Sequence, residues 1–467
     1  MIRVHRAELV AAWPTWLGVA ITFITVNFSL AVSALALHSG QVFLTANPGV
    51  PSDAQSYVLV PAGNLIFCSL VGAAVIGSST SLVIDARRGP LARLSLSGAT
   101  PRQIGTMIVG QLAAISLASA GVGLALAFAL LQPVMDFLAF ERRQQVDVAT
   151  AHAQYSPWPA LLAGGFCVVI AVVGGLRQTI RGSRVPPVEA LRQSQGDGER
   201  HMGAGRWVLF SFAVAAISGT FVGARFVEKG FAGLSQHLQL AMTLLIVSGV
   251  ALAAVAPKIV GPVTRAWTSL VPSRAATWRV ARRNTIERSA RLSKSVVPVM
   301  LTVGLLEGTI ALGSVLERSM TASGEEMELT ASGWASIFML MGLPLMVPLA
   351  GAIGALMMMA RQRDAELALL GLSGATLSQR VRVTLFEGII LAATGVILGT
   401  LMSAVAVWYF LWALASSGFT PAAPSSWGTL AIVALACTTI LVTAMSIPVI
   451  PALRRGEHQV VARLVAD

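Results

Sequence analysis

The chain has 467 residues, of which 55% are hydrophobic and only 12% charged, with a formal net charge of +12. A soluble fold of this length would need far more charge to cover its surface, so that class is excluded. Nucleic-acid binding would need the basic residues gathered on one folded surface, and no such patch is legible; attraction to anionic lipid headgroups is the simpler companion reading.

A helix needs about 20 apolar residues to cross a bilayer. Ten runs qualify: 14–37, 62–84, 104–131, 158–178, 206–226, 236–260, 293–316, 332–359, 382–414 and 427–450. Before the first, Arg3 and Arg6 with Ala34-Leu35-Ala36 imitate a secretory signal. The run is long for a cleaved leader and has a counterpart later in the chain, so a retained span is expected. With the N-terminus inside, all but five of the 33 Lys+Arg fall on the cytoplasmic side; the five are Arg142, Arg143, Arg225, Lys229 and Arg318. Cytoplasmic loops carry such an excess, which makes the net charge mostly a topology signal. Glu325, Glu326 and Glu328 cluster in one outer loop. The longest outer loops, 38–61 and 132–157, are too short for an ordinary domain. Cys68, Cys167 and Cys437 all lie within spans and show no disulfide framework or metal spacing.

The pentapeptide Leu96-Ser97-Gly98-Ala99-Thr100 returns as Leu372-Ser373-Gly374-Ala375-Thr376, an offset of 276 residues. The same shift carries Arg3-Val4 to Arg279-Val280, Arg6 to Arg282, Arg87 to Arg363, Leu91 to Leu367, Leu94 to Leu370, Gln103 to Gln379 and Gly123 to Gly399. Similar tails follow, Pro187-Val188-Glu189-Ala190-Leu191-Arg192 and Pro451-Ala452-Leu453-Arg454. The copy of the first span comes six spans later, and an even offset keeps both copies parallel in the membrane. The expected architecture is therefore an all-α integral membrane protein with about ten transmembrane helices. Two parallel four-helix repeats, 1–195 and 277–467, would be joined by a two-span linker, 196–276, with no large extracytoplasmic domain.

Each repeated loop predicts a helix, a turn and a second helix. Leu91 and Leu94, like Leu367 and Leu370, stand at i, i+3 and give a short surface helix one apolar face. Gly98 and Gly374 suit the left-handed position that ends a helix. Thr100 with Gln103, and Thr376 with Gln379, predict capping boxes, and Pro101 suits the first helical position. A short helix joined this tightly to the next span can pass a push into the membrane.

The stretch Arg363-Asp364-Ala365-Glu366-Leu367-Ala368-Leu369-Leu370-Gly371-Leu372-Ser373-Gly374-Ala375-Thr376 resembles the cytoplasmic loop of FtsX-like (MacB-type, type VII) ABC transporter permeases. In that family an arginine–glutamate–leucine segment leads into a leucine-rich turn. The resemblance covers both repeats; in the first, Pro90 stands where the second has Glu366. It implies a coupling helix that docks on a separate ATP-binding subunit. By position this points to Arg87, Arg88, Leu91, Leu94, Gly98 and Thr100 in the first copy, and to Arg363, Glu366, Leu367, Leu370, Gly374 and Thr376 in the second. The implied partners are two copies of a cytoplasmic ABC ATPase, which would bind the ATP and magnesium. Membrane lipid and a hydrophobic or amphipathic substrate complete the expected partners, and no nucleic acid is expected.

The chain itself offers no phosphate loop. Lys229, Lys258 and Lys294 follow Glu228, Pro257 and Ser293, and no Gly-Lys-Ser/Thr exists. The six histidines are scattered without metal spacing. No cofactor, metal or catalytic group of its own is expected. Three polar residues fall inside spans: Glu307, and Glu387 with its offset partner Gln111. Glu387 reads either as a functional acid or as a side chain reaching Arg380 or Arg382. Glu307 reads either as a substrate- or lipid-facing group or as a neutral structural acid.

The function expected is the permease subunit of a bacterial ABC transporter in the inner (plasma) membrane, with both termini cytoplasmic. It would export or extract an antimicrobial peptide, drug or lipid. Two alternatives stay open: a transmembrane regulator of an extracytoplasmic cell-wall hydrolase, and an ion-driven secondary transporter with Glu307 as proton carrier.

Overall fold

The computed structural model describes residues 13–48, 55–86, 98–139, 150–182, 203–273, 275–324 and 331–424, with isolated positions between 428 and 439. These residues form ten α-helices and one 3-10 turn, and no strand is present among them. In chain order the helices are α1 (Trp13–Ala46), α2 (Ser56–Ala86), α3 (Pro101–Leu138), α4 (Pro157–Gly182), α5 (Ala204–Gly223), α6 (Phe231–Ser269), α7 (Ala276–Glu287), α8 (Ser289–Ala322), α9 (Ala331–Leu372) and α10 (Leu377–Ser416). Eight of them are long and apolar enough to cross a membrane, and α9 carries a further apolar stretch at Leu340–Ala355. The protein is a multi-pass membrane protein. The tenth expected span, 427–450, lies largely outside the described residues.

The core is built around α1 and α8, the two most buried spans. Helix α1 packs against α2, α3, α4 and α9; α8 packs against α6, α9 and α10. Helix α6 lies on α8 and α10, and α5 rests chiefly on α6 with most of its surface outward. Lipid is as apolar as a leucine core, so helix association in a membrane relies on close packing and polar ties rather than on hydrophobic burial. Ties of that kind are present between α6 and α10. Trp267 Nε1 donates to Thr394 Oγ1 at 3.0 Å, Thr264 and Thr394 hydroxyls meet at 3.1 Å, and Ser248 Oγ reaches the Met402 carbonyl at 3.3 Å.

The 276-residue offset is visible in the packing. Helices α8 and α10 begin 276 residues after α1 and α3. A Cβ on Gly123 of α3 would lie 2.8 Å from Asn27 Cβ, 2.9 Å from the Ile24 carbonyl oxygen and 3.0 Å from Phe28 N. On Gly399 of α10 it would meet the same three positions one offset later: Val303 Cβ at 3.1 Å, the Met300 oxygen at 3.0 Å and Gly304 N at 2.9 Å. Between the halves, Gly18 and Gly354 bring the backbones of α1 and α9 together, since a Cβ on Gly18 would stand 2.6 Å from the Gly354 oxygen. Gly351 of α9 abuts Val75 of α2, its own counterpart under the offset. A residue that touches its own equivalent must sit on the axis relating the two, as in a self-complementary interface.

Two expectations need correction. The loop 38–61 is mostly helical, because α1 runs on to Ala46 and α2 begins at Ser56. The extension is held by packing: Phe43 and Tyr57 meet edge to face at 5.4 Å, and Ser39 Oγ accepts from Gln154 N at 2.9 Å. The second repeated loop holds no separate short helix either. Helix α9 continues unbroken through Arg361–Leu372, a stretch of Ala, Leu, Glu, Gln and Arg that favours helix and contains no Gly or Pro before Gly371.

Candidate functional site

The two repeated turns join α9 to α10 and lead into α3. Gly374 adopts φ 90°, Gly374 N donates to the Gly371 carbonyl at 2.9 Å, and Ala375 N donates to the Leu370 carbonyl at 3.0 Å. This is a Schellman ending, closed by the left-handed glycine that the sequence required. Two residues later Thr376 caps α10. Its hydroxyl accepts from Gln379 N at 3.4 Å, and Gln379 Oε1 accepts from Thr376 N at 2.9 Å. The first copy repeats this, with Gly98 at φ 95° and Thr100 paired with Gln103 at 3.3 and 2.9 Å. Pro101 opens α3. Reciprocal caps satisfy two donors that would otherwise be free and set the angle at which the chain enters the helix.

Two exposed leucines flank the second turn, Leu372 and Leu377. Sequence reasoning singled out neither for a role, because an isolated leucine beside a turn carries no periodic signal. Leu370 turns the other way. It packs with Trp267 and Phe386 against the buried group Trp278, Ala281, Val383 and Ile390. The i, i+3 leucine pattern thus has its inward end at Leu370. The side chains of Arg363, Glu366 and Leu367, on the same continuous helix, lie outside the described residues, as do residues Arg87, Arg88, Leu91 and Leu94 altogether.

The short helix α7 braces this second elbow. Trp278, Ala281 and Thr285 stand at i, i+3, i+7 and form its buried stripe against α10. Trp278 stacks edge to face on Phe386 at 5.5 Å and lies 6.4 Å from the Trp267 ring. Arg282 Nε donates to Thr268 Oγ1 at 3.0 Å. Asn284 Nδ2 donates to Glu387 Oε1 at 3.1 Å, a partner on another helix that a one-dimensional reading of Arg380 and Arg382 passes over. On the outer side of α7, Arg283 Nε donates to Glu287 Oε1 at 2.8 Å. That hydrogen bond, helped by the carboxylate charge, raises the Arg283 guanidinium above its usual value. An exposed pair of this kind contributes little to stability. Gln111 is buried on α3.

Glu307 faces α10 rather than lipid. It is only 6% exposed and stands at the midpoint of the Leu292–Ala322 span. Thr400 Oγ1 donates to its Oε2 at 2.9 Å, and Ser403 Oγ lies 3.2 Å from its Oε1. Toward the opposite end of α10, the buried His237 Nδ1 lies 3.4 Å from the Tyr409 hydroxyl. The second elbow stands at the start of α10, whereas Glu307 projects from α8 against the middle of α10, so the two are separate features. Among the described residues no cluster of His, Cys, Asp or Glu could hold a metal ion.

Comparison with known proteins gives one family. No curated protein matches the chain. The model of the FtsX-like permease C-terminal domain matches it twice, at residues 64–187 and 353–456. Each match includes one glycine-closed, threonine-capped turn and the helix that follows it. The domain is found on both halves of an all-helical membrane chain, which makes the chain similar to the FtsX-like permease family.

Proposed function

We propose that this chain is the membrane subunit of a bacterial ABC transporter, built as two parallel four-span repeats, 1–195 and 277–467, with 196–276 as linker. A pair of separate ATPase subunits docks beneath the two elbows at 87–99 and 363–375. The observation that carries this reading is the pair of matching elbows, each with a left-handed glycine and a reciprocal cap. A tight elbow at the end of a long helix transmits displacement along the helix instead of bending. In the second half the push passes from α9 into α10, and the α7 brace ties that motion to α6. Closure of the ATPase pair would then rock one half against the other, shifting the close contacts Gly18–Gly354 and Val75–Gly351 relative to each other. A hydrophobic or amphipathic compound, such as an antimicrobial peptide, drug or lipid, suits a chain whose outer connections are short. Both termini would be cytoplasmic, on the side rich in arginine.

The test is co-expression with a cytoplasmic ABC ATPase from the same genome. Charge reversal at Arg87, Arg363 and Glu366, combined with aspartate at Leu372 and Leu377, is expected to abolish co-purification while leaving the permease monodisperse. Retention of the ATPase by that variant would show that the elbows are not its docking site.

A further inference from the structure

At Glu307 three polar contacts share two hydroxyl hydrogens. Thr400 Oγ1 stands 2.9 Å from Glu307 Oε2. Ser403 Oγ stands 3.2 Å from Glu307 Oε1 and also 2.9 Å from the Thr400 carbonyl. A threonine and a serine bring one hydroxyl hydrogen each, and an ionised carboxylate brings none. Two hydrogens cannot fill three contacts singly. One hydrogen on the carboxyl closes the set: Thr400 donates to Oε2, Oε1 donates to Ser403 Oγ, and Ser403 donates to the Thr400 carbonyl.

The surroundings agree. At this level α6 presents Leu245, Ser248 and Gly249, which contact Gly308, the Met402 carbonyl and Leu301. The charged or titratable side chains of α6 nearest in sequence, His237 and Lys258, are displaced along the helix by about 12 Å at 1.5 Å per residue. Tyr409 of α10 lies roughly 9 Å beyond Ser403 by the same rise. On α8 itself the nearest are Lys294 and Glu317, on α9 no charged residue occurs from Ala331 to Ala360, and on α2 the thiol Cys68 is buried elsewhere in the core. No cation faces Glu307 from these helices, and a bare carboxylate at mid-span is expensive.

The first half shows that the helix crossing does not need this group. The offset carries Glu307, Thr400 and Ser403 back to Ala31, Leu124 and Ala127, and α1 packs on α3 there as α8 packs on α10. All three members are replaced by apolar residues together. They therefore act as one unit that belongs to the second half alone.

We propose that Glu307 is a membrane-buried proton-binding site, whose carboxyl proton is donated to Ser403 and closes a hydrogen-bond ring clasping α8 to α10. This stands on the geometry of α8 and α10 and does not depend on the ATPase docking argued above. The test is difference infrared spectroscopy at neutral pH on the full-length protein in lipid nanodiscs, wild type minus Glu307→Gln. The expected result is a protonated-carboxyl C=O band that is absent from the variant, moves down in D2O and moves up when Thr400→Val removes the donor to Oε2. A carboxylate band in its place would overturn the proposal. Gln supplies the same donor and acceptor, so Glu307→Gln is expected to fold. If it fails while Glu307→Ala/Thr400→Leu/Ser403→Ala, the first-half set, folds, a neutral ring is not what packs this site and the proposal also falls.

Discussion

Gly374 at φ 90° and Gly98 at φ 95° occupy backbone conformations that side chains with a Cβ rarely adopt. Gly374→Ala should cost about 1 kcal/mol or more, with Gly374→Asn milder, since asparagine tolerates that region. Thr376→Ala should cost about 1 kcal/mol by removing the cap. Thermal unfolding in detergent checks all three. Leu372→Asp and Leu377→Asp act differently. Both side chains are exposed, so stability should stay within about 0.5 kcal/mol. ATPase co-purification should fall if the elbow docks as proposed. The glycines and caps were legible in the sequence because each depends on a residue type at a fixed spacing within a few positions. The exposed leucines were not, since which way a lone leucine points is decided by the helix it packs on.

At the scale of helices, the crossings at Gly123 and Gly399 make the same contacts one offset apart. Gly123→Leu and Gly399→Leu should each force backbones apart and reduce the yield of monodisperse protein to a similar degree, as read by fluorescence-detected size exclusion. A large difference between them would show that the two crossings are not equivalent in energy. Trp278→Ala removes the central ring of the α7 brace. It should destabilise the protein by about 3 kcal/mol and expose α7 to protease. The apolar runs that became the eight spanning helices were readable from their length, whereas the buried stripe of α7 was not singled out in its basic segment. The continuity of α9 through Leu372 was hidden, because arginines mark the membrane boundary while helix propensity ignores it.

At the scale of the whole molecule, Val75 and Gly351 stand where the two halves meet. A Cβ on Gly351 would lie 3.5 Å from Val75 Cβ, at the short end of the usual disulfide range of roughly 3.5–4.5 Å. In a background lacking Cys68, Cys167 and Cys437, the double variant Val75→Cys/Gly351→Cys should form an internal disulfide. Oxidised protein should lose ATP-driven transport and recover it on reduction, as rocking between the halves requires. Full transport in the oxidised state would rule out a relative motion at this contact.

The sequence by itself determined that the chain lives in a membrane, that it carries a 276-residue internal offset, and that two loops end in glycine and restart in a threonine cap. Those properties are local or periodic, so one dimension records them. Only the tertiary structure decided that α1 and α8 form the centre, that Val75 faces its own counterpart, that Glu387 pairs with Asn284, and that Glu307 points at Thr400 and Ser403 instead of lipid. Each depends on which face of one helix meets which face of another. That choice is made by close packing of small residues and by a few hydrogen bonds, and in a membrane hydrophobicity cannot make it, because every face is apolar enough to meet lipid.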